Sequence, residues 1–562
     1  MTKAAQFDVI VIGSGITGGW AAKELTEQGL KVLMIERGRH IEHAQDYKTE
    51  TVPPWQMPFR GFGDAERIAR EYFVQSKGRG FDEWTLPHYA NDRDNPYSTP
   101  GDAPFQWTRG YQLGGKSLIW GRQAYRWSDV DFGANKRDGH GNDWPIRYAD
   151  LAPWYSHVER FIGVSGSKDG LAQLPDGEFQ PPMALNVVEA HAKRSIEERW
   201  PDRRLVIGRV ANLTEGLPGR APCQSRSICA RGCSYGAYFS TQSSTLPAAR
   251  ATGNLTLLTD HVVERIEVDP LTGRATGVRA FDTRTRRATT YSARTLFLCA
   301  GTLNSIGVLL RSTSERHPNG LANGSGTLGR YLLDHANGLV AMGPVPGFEA
   351  HTTFGNRPTG IIVPRFRNVD GVQQEFTRGY SYQGGAWQLG WPEGGRGPGL
   401  GEALKQRLRG PGQWMFALVA FAETLPNADN RVTLHATQRD ALGLPQLHID
   451  MRFRAGELAA FEDAATEGRA MLESFGGQAM LHFTRPGPPG TSIHEMGGAR
   501  MGDDPRESVV DAHNRAHEVP NLYVTDGACM ASSACQNPSL TYMALTARAA
   551  RHAVDELKAG KG

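Results

Sequence analysis

FDVIVIGSGITG, from Phe7 to Gly18, is an apolar run that leads directly into a G-x-G-x-x-G turn. The apolar half predicts a short buried strand, and the residues that follow the turn, Gly19–Gln28, predict a helix. Lys31–Ile35 then predicts a second strand, which ends at Glu36. A strand, a glycine turn, a helix and a strand within about 30 residues form a βαβ unit, so the chain is predicted to begin with a Rossmann-like fold.

The residues of this unit match the chemistry of a bound dinucleotide. Gly13 permits the tight bend, Gly15 lets the backbone approach a pyrophosphate, and Gly18 allows the helix to pack closely on the strand. Glu36 lies where a carboxylate accepts hydrogen bonds from the ribose hydroxyls of adenosine. NAD and FAD share this fingerprint, so the turn does not choose between them. The predicted contacts are Gly13, Gly15, Ile16, Thr17, Gly18, Glu36 and Arg37.

The composition is that of a soluble globular protein with a small ligand. Of 562 residues, 39% are hydrophobic and 22% are charged, and the formal net charge is +3. No basic tract of the kind that binds nucleic acid is present, and no apolar run approaches the roughly 20 residues of a membrane helix. Met1–Gln6 runs straight into the first strand and leaves no room for a signal peptide. We therefore predict no nucleic-acid partner, no transmembrane segment and a neutral small molecule as ligand.

Beyond Glu36 the pattern separates into a long excursion and a sheet-forming region. From His40 to about Gln106 no period is sustained, and a loop of this length is usually functional. The later segments favour strands and a largely antiparallel second region. The predicted strands are Leu255–Val268, Ala275–Asp282, Thr295–Ala300, Leu339–Met342, Gly360–Arg365, Met415–Glu423, Gln446–Met451 and Asn521–Thr525, and the predicted helices are Gly456–Ser474 and Thr541–Lys558.

Further motifs follow in a fixed order: Gly114-Gly115-Lys116-Ser117, Cys299–Ser305, Leu328–His335, Thr525-Asp526-Gly527 and Asn537–Thr541. This ordered set, from Phe7 to about His552, resembles the glucose-methanol-choline (GMC) oxidoreductase family. The resemblance implies an FAD-dependent oxidoreductase acting on CH–OH groups. It implies an α/β fold with an α+β second region, in which a Rossmann-like FAD-binding domain is interleaved with a substrate domain built on a mainly antiparallel sheet. We predict residues 1–45, 105–340 and 488–562 for the FAD-binding domain, and 46–104 and 341–487 for the substrate-binding domain and lid.

The same resemblance assigns further contacts to FAD. They are Gly114, Gly115, Ser117, Val262, Ala300, Gly301, Asp526, Gly527, Asn537, Pro538 and Ser539. In some relatives a histidine in the segment similar to Gly114–Trp120 is attached covalently to the flavin. This chain has no histidine there, which predicts non-covalent FAD. Val262 would meet adenine, although a strand valine also fits simple core packing.

His494 and Asn537 are the predicted catalytic pair. His494 begins HEMGGARMG, a segment similar to the one that carries the catalytic histidine of the family. A neutral histidine can accept the hydroxyl proton of an alcohol near pH 7 while the carbon-bound hydrogen leaves as hydride toward flavin N5. Asn537 resembles the second catalytic position, where an amide can orient the substrate oxygen. The alternatives are a structural hydrogen-bonding histidine and an ordinary helix cap.

Three of the six cysteines, Cys223, Cys229 and Cys233, lie within eleven positions. An iron–sulfur cluster, a zinc site, and unrelated thiols with an adventitious disulfide all remain open. Zinc normally takes four ligands, and this segment holds no fourth cysteine or histidine. A 3Fe-4S cluster needs only three cysteines. The spacing also resembles the cluster-binding segment of membrane-linked bacterial sugar dehydrogenases, which implies a cytochrome c-type electron acceptor.

Trp120–Gln123, Asp131-Phe132 and Asp143–Tyr148 are most similar to catalytic subunits of bacterial glucoside 3-dehydrogenases. That resemblance implies oxidation of the C3 hydroxyl of a glucose or glucoside to a keto sugar. It also implies a small accessory subunit that carries the export signal, and hence a periplasmic enzyme, with a cytoplasmic location as the alternative. Trp387, Gln388 and Trp391 would line a sugar pocket or pack in the core.

Three rival functions stay open at this point. The first is an FAD-dependent sugar oxidase that reduces O2 to H2O2. The second is a dehydrogenase of another polyol or alcohol. The third, from a different class, is a non-catalytic electron-transfer flavoprotein subunit, against which the pairing of His494 with Asn537 argues.

Overall fold

The computed structural model describes residues 6–78, 80–353, 355, 357–370, 374–390 and 399–560. Its strands are β1 Phe7–Ile12, β2 Val32–Ile35, β3 Val206–Ile207, β4 Leu255–Leu258, β5 His261–Val268, β6 Ala275–Asp282, β7 Ala288–Leu298, β8 Ala336–Pro344, β9 Ile361–Val363, β10 Tyr380–Gln388, β11 Trp414–Ala422, β12 Arg431–Arg439, β13 Pro445–Asp450 and β14 Leu522–Val524. The longer helices are Ile16–Glu27, Ala65–Glu71, Tyr148–Ile162, Val187–Arg199, Leu246–Ala251, Thr302–Arg311, Gly401–Arg409, Ala455–Ser474 and Ser539–Lys558.

A seven-stranded sheet carries the glycine turn, in the order β4-β2-β1-β7-β6-β5 with β14 paired to β7. Strands β4, β2, β1, β7 and β14 run parallel, as expected for a doubly wound fold. Val9–Ile12 and all of β2 are buried, because helices cover both faces of a parallel sheet. The carboxyl ends of β1, β2 and β7 therefore meet at one edge, where the glycine turn lies.

Strand β7 joins this parallel region to an antiparallel hairpin. Its second half, Thr295–Leu298, pairs with β1, and its first half, Ala288–Ser292, pairs with β6. The sequence pattern predicts Leu255–Val268 as one strand, and this prediction is wrong. The chain turns at Asp260, whose φ is 58°, so that β4 joins the parallel edge and β5 pairs antiparallel with β6.

The second sheet has five strands in the order β3-β9-β10-β11-β8, and every pair is antiparallel. The helices Val187–Arg199 and Ala455–Ser474 bury their apolar faces in the core beside it. The predicted fold class, α/β with a mainly antiparallel second sheet, is confirmed. Strand β10 escaped prediction, because Gly384 and Gly385 interrupt its pattern. Gln446–Met451 forms a strand as predicted, but it pairs with β12 in a separate two-stranded sheet.

In its described residues, the excursion from His40 to Gln106 has no strand of its own and consists of turns and short helices. Part of it, including Lys77, Gly78 and Tyr89, lies over the cavity at the edge of the seven-stranded sheet. Within the described residues, no helix is both long and apolar enough to span a membrane.

Candidate active site

The glycine turn leaves room for a ligand at one residue and none at the other two. A side chain at Gly13 would meet the carbonyl oxygen of Cys299 at 2.4 Å, and one at Gly18 would meet that of Gly13 at 2.0 Å. At Gly15 the same added atom would meet nothing within 4 Å. Gly15 caps the helix that begins at Ile16, so the free backbone N–H groups of its first turn face this open space. A phosphate group fits there.

Glu36 is buried below this turn and held in a fixed orientation. One of its oxygens accepts hydrogen bonds from the backbone N–H of Ser14 at 3.1 Å and from the Ser14 hydroxyl. The other accepts from the N–H of Gly38 at 2.8 Å. Burial raises the pKa of this carboxyl, and the hydrogen bonds oppose that rise. Arg37 stacks on the Tyr111 ring at 3.8 Å and lies beside Glu36 in the cavity wall.

Two other predicted motifs close the cavity from opposite sides. Gly115 lies across from the turn, since a side chain on it would come within 3.5 Å of the Cα of Gly15. Asp526 accepts hydrogen bonds from the N–H of Gly301 at 2.9 Å and of Ala528 at 3.0 Å. Burial raises the pKa of Asp526 to about 6. Gly301 caps the helix that begins at Thr302, which points a further helix N-terminus at the cavity.

The cavity has a volume of about 480 Å³ and runs between the two sheets. Its walls include Ile35 and Val262 of the seven-stranded sheet, and Asn337, Val419 and Phe421 of the five-stranded sheet. Every predicted contact with the cofactor lines it except Gly18 and Gly114. Gly18 and Gly114 instead contact residues that line the cavity. Gly18 packs against Gly13, and the N–H of Gly114 donates to the Ser14 hydroxyl at 2.8 Å. The residues present therefore fit FAD.

The structure brings His494 and Asn537 together at the far end of this cavity. The Nε2 atom of His494 lies 3.0 Å from Nδ2 of Asn537, and both side chains are 8% exposed. Asn537 directly precedes Pro538, the cap of the last helix, and Pro538 and Ser539 also line the cavity. The two predicted catalytic side chains are thus in direct contact, although 43 positions separate them in the chain.

Burial and nearby charge keep His494 neutral. Burial is the largest cause that lowers its pKa well below the usual value for histidine, and His335 and Lys116 lower it further. The Phe421 ring lies against the imidazole, with the ring centres 5.6 Å apart. Ile493, the residue before it, has a φ of 62°, a conformation that costs a β-branched residue about 1–3 kcal/mol and clusters at functional sites.

Lys116 and Glu495 form an ion pair inside the cavity, with Nζ 2.8 Å from Oε2. The other carboxylate oxygen of Glu495, Oε1, is buried and has no partner in the described part of the chain. A buried acceptor without a partner costs about 1–3 kcal/mol, which a donor on a bound ligand would recover. Lys116 lies in the segment Gly114–Trp120 and lines the cavity.

Sequence reasoning missed two residues that contact the catalytic pair. Nδ1 of His335 lies 2.9 Å from Nδ1 of His494, and Nε2 of Gln383 donates to Oδ1 of Asn537. His335 ends the motif Leu328–His335, so its position carried a signal, but the motif assigned it no task. Gln383 lies on β10, the strand that escaped prediction, so no local signal pointed to it.

Cys223, Cys229 and Cys233 lie on one loop, where all three are half-buried and unpaired. Burial raises the pKa of Cys223, and the charges of the two other thiols raise it further. The guanidinium of Arg226 donates a weak hydrogen bond to the sulfur of Cys233, with Nη2 and Sγ 3.8 Å apart, and it forms an ion pair with Glu50. Across the described ranges, however, no three His, Cys, Asp or Glu side chains are arranged to hold a metal ion.

The other three cysteines, Cys299, Cys529 and Cys535, are buried free thiols. Trp387 and Gln388 are only partly buried and do not line the cavity described above. Trp391 lies outside the described residues.

Comparison with known proteins gives further evidence about the family of this chain. Two models of the GMC oxidoreductase family match this chain, the N-terminal one at residues 7–337 and the C-terminal one at 426–546. The fructose dehydrogenase large subunit of Gluconobacter japonicus is 26% identical over 98% of this chain and 98% of its own length. The 6'''-hydroxyparomomycin C oxidase of Streptomyces lividus is 28% identical over 99% and 92%. Pyridoxine 4-oxidase from Mesorbium loti has a similar fold, with a TM-score of 0.60 at 17% identity, and covers 97% of this chain and 98% of its own.

Proposed function

The chain belongs to the GMC oxidoreductase family and is an FAD-dependent oxidoreductase of CH–OH groups, and from this premise we propose that it oxidises the C3 hydroxyl of a glucose or glucoside to a ketone. The observation that supports alcohol oxidation is one continuous cavity that extends from Gly15 and Glu36 to the His494–Asn537 pair, whereas the choice of a glucose or glucoside rests on resemblance. Gly15 and Glu36 would hold the nucleotide part of FAD, and the flavin would supply a hydride acceptor near His494.

The side chains divide the chemistry between them. FAD, when bound, supplies the acceptor for the hydride that leaves the carbinol carbon. His494 takes the hydroxyl proton at Nε2, and Asn537 donates its amide N–H to the hydroxyl oxygen and so orients it. The helix N-termini at Gly15 and Gly301 favour the pyrophosphate.

The lowered pKa of His494 fits the role of a base that must be free when the alcohol arrives. With the pKa held below the usual range, the imidazole is neutral throughout the pH range in which most enzymes work. Positioned bases of this kind contribute about 10²–10⁴ to rate. A non-catalytic electron-transfer subunit would have no use for such a pair.

The choice of substrate rests on resemblance. The segments Trp120–Gln123 and Asp143–Tyr148 are similar to those of glucoside 3-dehydrogenases, and Gln123 lines the cavity beside Trp120. A relative over nearly the full chain is named for fructose oxidation, and another for a hydroxyparomomycin. Sugars and sugar-like alcohols are therefore the substrate class to test first.

A matched pair of sugars tests the regiochemistry. The holoenzyme is mixed without oxygen with methyl glucoside or with its 3-deoxy analogue, and bleaching of the flavin is followed. We expect bleaching with methyl glucoside only. Equal bleaching by the 3-deoxy sugar would move the reaction to another carbon, and an oxidised flavin with every sugar would exclude this substrate class and favour another polyol or alcohol.

The route of the electrons after the sugar is oxidised is a separate proposal. We propose a dehydrogenase with an iron–sulfur cluster of the 3Fe-4S type at Cys223, Cys229 and Cys233, supported by the spacing of the three cysteines in the sequence. The loop does not hold them as a metal site in this structure, so no step is derived through a cluster. Iron and acid-labile sulfide analysis of protein purified without oxygen tests it, and peroxide formation in air would favour the oxidase, a name that one relative also carries.

We also propose a periplasmic location reached by co-export with a small accessory subunit, and a cytochrome c-type acceptor. A relative named as a large subunit supports an assembly of more than one chain. Fractionation of the native host, followed by purification of the complex under mild conditions, tests all three. A single chain in the cytoplasmic fraction would contradict them.

A further inference from the structure

A line of hydrogen bonds passes through the catalytic pair and ends on the backbone. It links Gln383, Asn537, His494, His335 and the carbonyl groups of residues 533 and 534. We infer that His335 is a positioning residue that fixes which nitrogen of His494 carries the proton, with Gln383 holding the same polarity from the other end. This inference rests on the proposed role of His494 as the base.

The direction of the line is set where it meets the backbone. Nε2 of His335 lies 3.2 Å from the carbonyl oxygen of Ser533 and 3.0 Å from that of Ala534. Carbonyl oxygens only accept hydrogen bonds, so this nitrogen carries a hydrogen. Ala534 has a φ of 51°, which is uncommon for a residue with a side chain, in the turn that presents both carbonyls to one ring.

The remaining proton positions follow one by one. His335 is fully buried and burial lowers its pKa to about 4, so the ring is neutral and its Nδ1 is an acceptor. The only hydrogen available between Nδ1 of His335 and Nδ1 of His494 is then on His494. A neutral His494 that is protonated at Nδ1 has its lone pair at Nε2, the atom that faces Asn537.

The amide end agrees with this direction. Asn537 turns its N–H group toward the lone pair of His494, and its oxygen accepts from Nε2 of Gln383. In the opposite direction, His335 would press an unprotonated nitrogen against two carbonyl oxygens. The backbone therefore decides, through the one intervening side chain of His335, that Nε2 of His494 carries the lone pair that can accept a proton from an alcohol.

Two variants of His335 distinguish two roles for this side chain, either as a hydrogen-bond acceptor for His494 or only as a group that fills the space beside it. In His335→Asn an amide oxygen can occupy the place of Nδ1 and accept from His494, whereas in His335→Leu a methyl group occupies it. Both variants lose the bond to the carbonyls, so that loss cancels in the comparison. We expect anaerobic reduction of the flavin by an alcohol to be at least tenfold slower in His335→Leu than in His335→Asn. Equal rates would overturn the inference.

Gln383 gives a second, independent pair. Gln383→Met removes the donor without imposing a direction, while Gln383→Glu places an acceptor that makes Asn537 turn its oxygen toward His494. We expect Gln383→Glu to be the slower of the two by at least tenfold. If Gln383→Met is as slow or slower, Gln383 holds the strand rather than the polarity.

A spectroscopic measurement keeps this inference separate from the choice of substrate. In substrate-free holoenzyme labelled with ¹⁵N-histidine, the resonance of His494, assigned by its loss in His494→Asn, reports which ring nitrogen is protonated. We expect an unprotonated Nε2 in the native chain and in His335→Asn, and a mixture of tautomers in His335→Leu. A protonated Nε2 in the native chain overturns the inference. The expected spectrum in a protein that no sugar reduces would leave it standing and refute the proposed substrate.

Discussion

His494 and the cysteine loop are both marked by their residue types for redox chemistry, yet the chain holds them in different ways. His494 is 8% exposed, and its two ring nitrogens contact residues 43 and 159 positions away. Cys223, Cys229 and Cys233 lie within one loop and are half-buried, and the sulfur contacts of Cys223 and Cys233 are long bonds to Ser225 and Arg226 of the same loop. The catalytic side chains are brought together from distant segments, whereas the three cysteines belong to one loop.

This difference shows that the reactivity of a side chain depends on the residues around it as well as on its type. Contacts from several elements set the tautomer, neutrality and aim of His494 before any substrate is present. The loop also has outside support, since Glu50 contacts Arg226 and Ser234 and the Trp84 ring lies 4.5 Å from the Arg231 guanidinium, but these contacts are made by Arg226, Arg231 and Ser234 and not by the three sulfur atoms. A ligand set held in this way is completed by the group it binds, whereas His494 is complete without one.

Removal of His494 should have the largest effect. In His494→Ala we expect the rate of flavin reduction by substrate to fall by about 10²–10⁴, because a positioned base is lost. His482→Ala, a histidine outside the cavity that contacts the carbonyl of Ala465, serves as the control and should be unaffected. Full turnover in His494→Ala, with normal flavin content, would revive the non-catalytic reading and remove one side of the comparison.

The sequence predicted the part of the fold that local pattern encodes. Phe7–Glu36 forms the expected βαβ unit, because its strand, turn and helix each follow from neighbouring residues. Motif resemblance identified His494 and Asn537, which do meet in space. Their partners His335 and Gln383 could not be predicted, because their task depends on the path of the backbone at 533–534 and on β10, which no local period indicated.

Lowering the pH should reduce the stability of the folded chain through the buried His335, which contacts His494. Burial lowers the pKa of folded His335 to about 4, whereas an unfolded histidine titrates near 6.5. The unfolded chain then binds more protons between these values, so stability falls as the pH drops from about 6.5 toward 4, by roughly 3 kcal/mol in total. We expect the unfolding temperature of His335→Asn to fall less over this range than that of the native chain. His351→Asn, at an exposed position, is the control and should follow the native curve.

Filling the open space at Gly15 should release the cofactor without loss of the fold. The φ of Gly15 is −63°, so valine fits the backbone, but its side chain would occupy the space that faces Gly115. We expect Gly15→Val to raise the Kd for FAD at least about tenfold, which corresponds to 1.4 kcal/mol. Gly456→Ala, whose new atom also meets nothing within 4 Å but lies outside the cavity, should bind FAD normally. Unchanged binding in Gly15→Val would mean that the pyrophosphate lies elsewhere.

The smallest effect is expected at the cysteine loop. In protein freed of metal, a thiol reagent should modify Cys223, Cys229 and Cys233 quickly and the three buried cysteines only after unfolding, since burial raises the pKa of Cys299 to about 12. Cys223→Ser should change the rate of flavin reduction by substrate by no more than about twofold. A substitution outside the site usually changes the free energy by no more than about 0.5 kcal/mol. Slow modification of the three loop cysteines in the native protein would contradict this prediction. A large loss of flavin reduction in Cys223→Ser would also contradict it, and would show that the loop is coupled to the catalytic site.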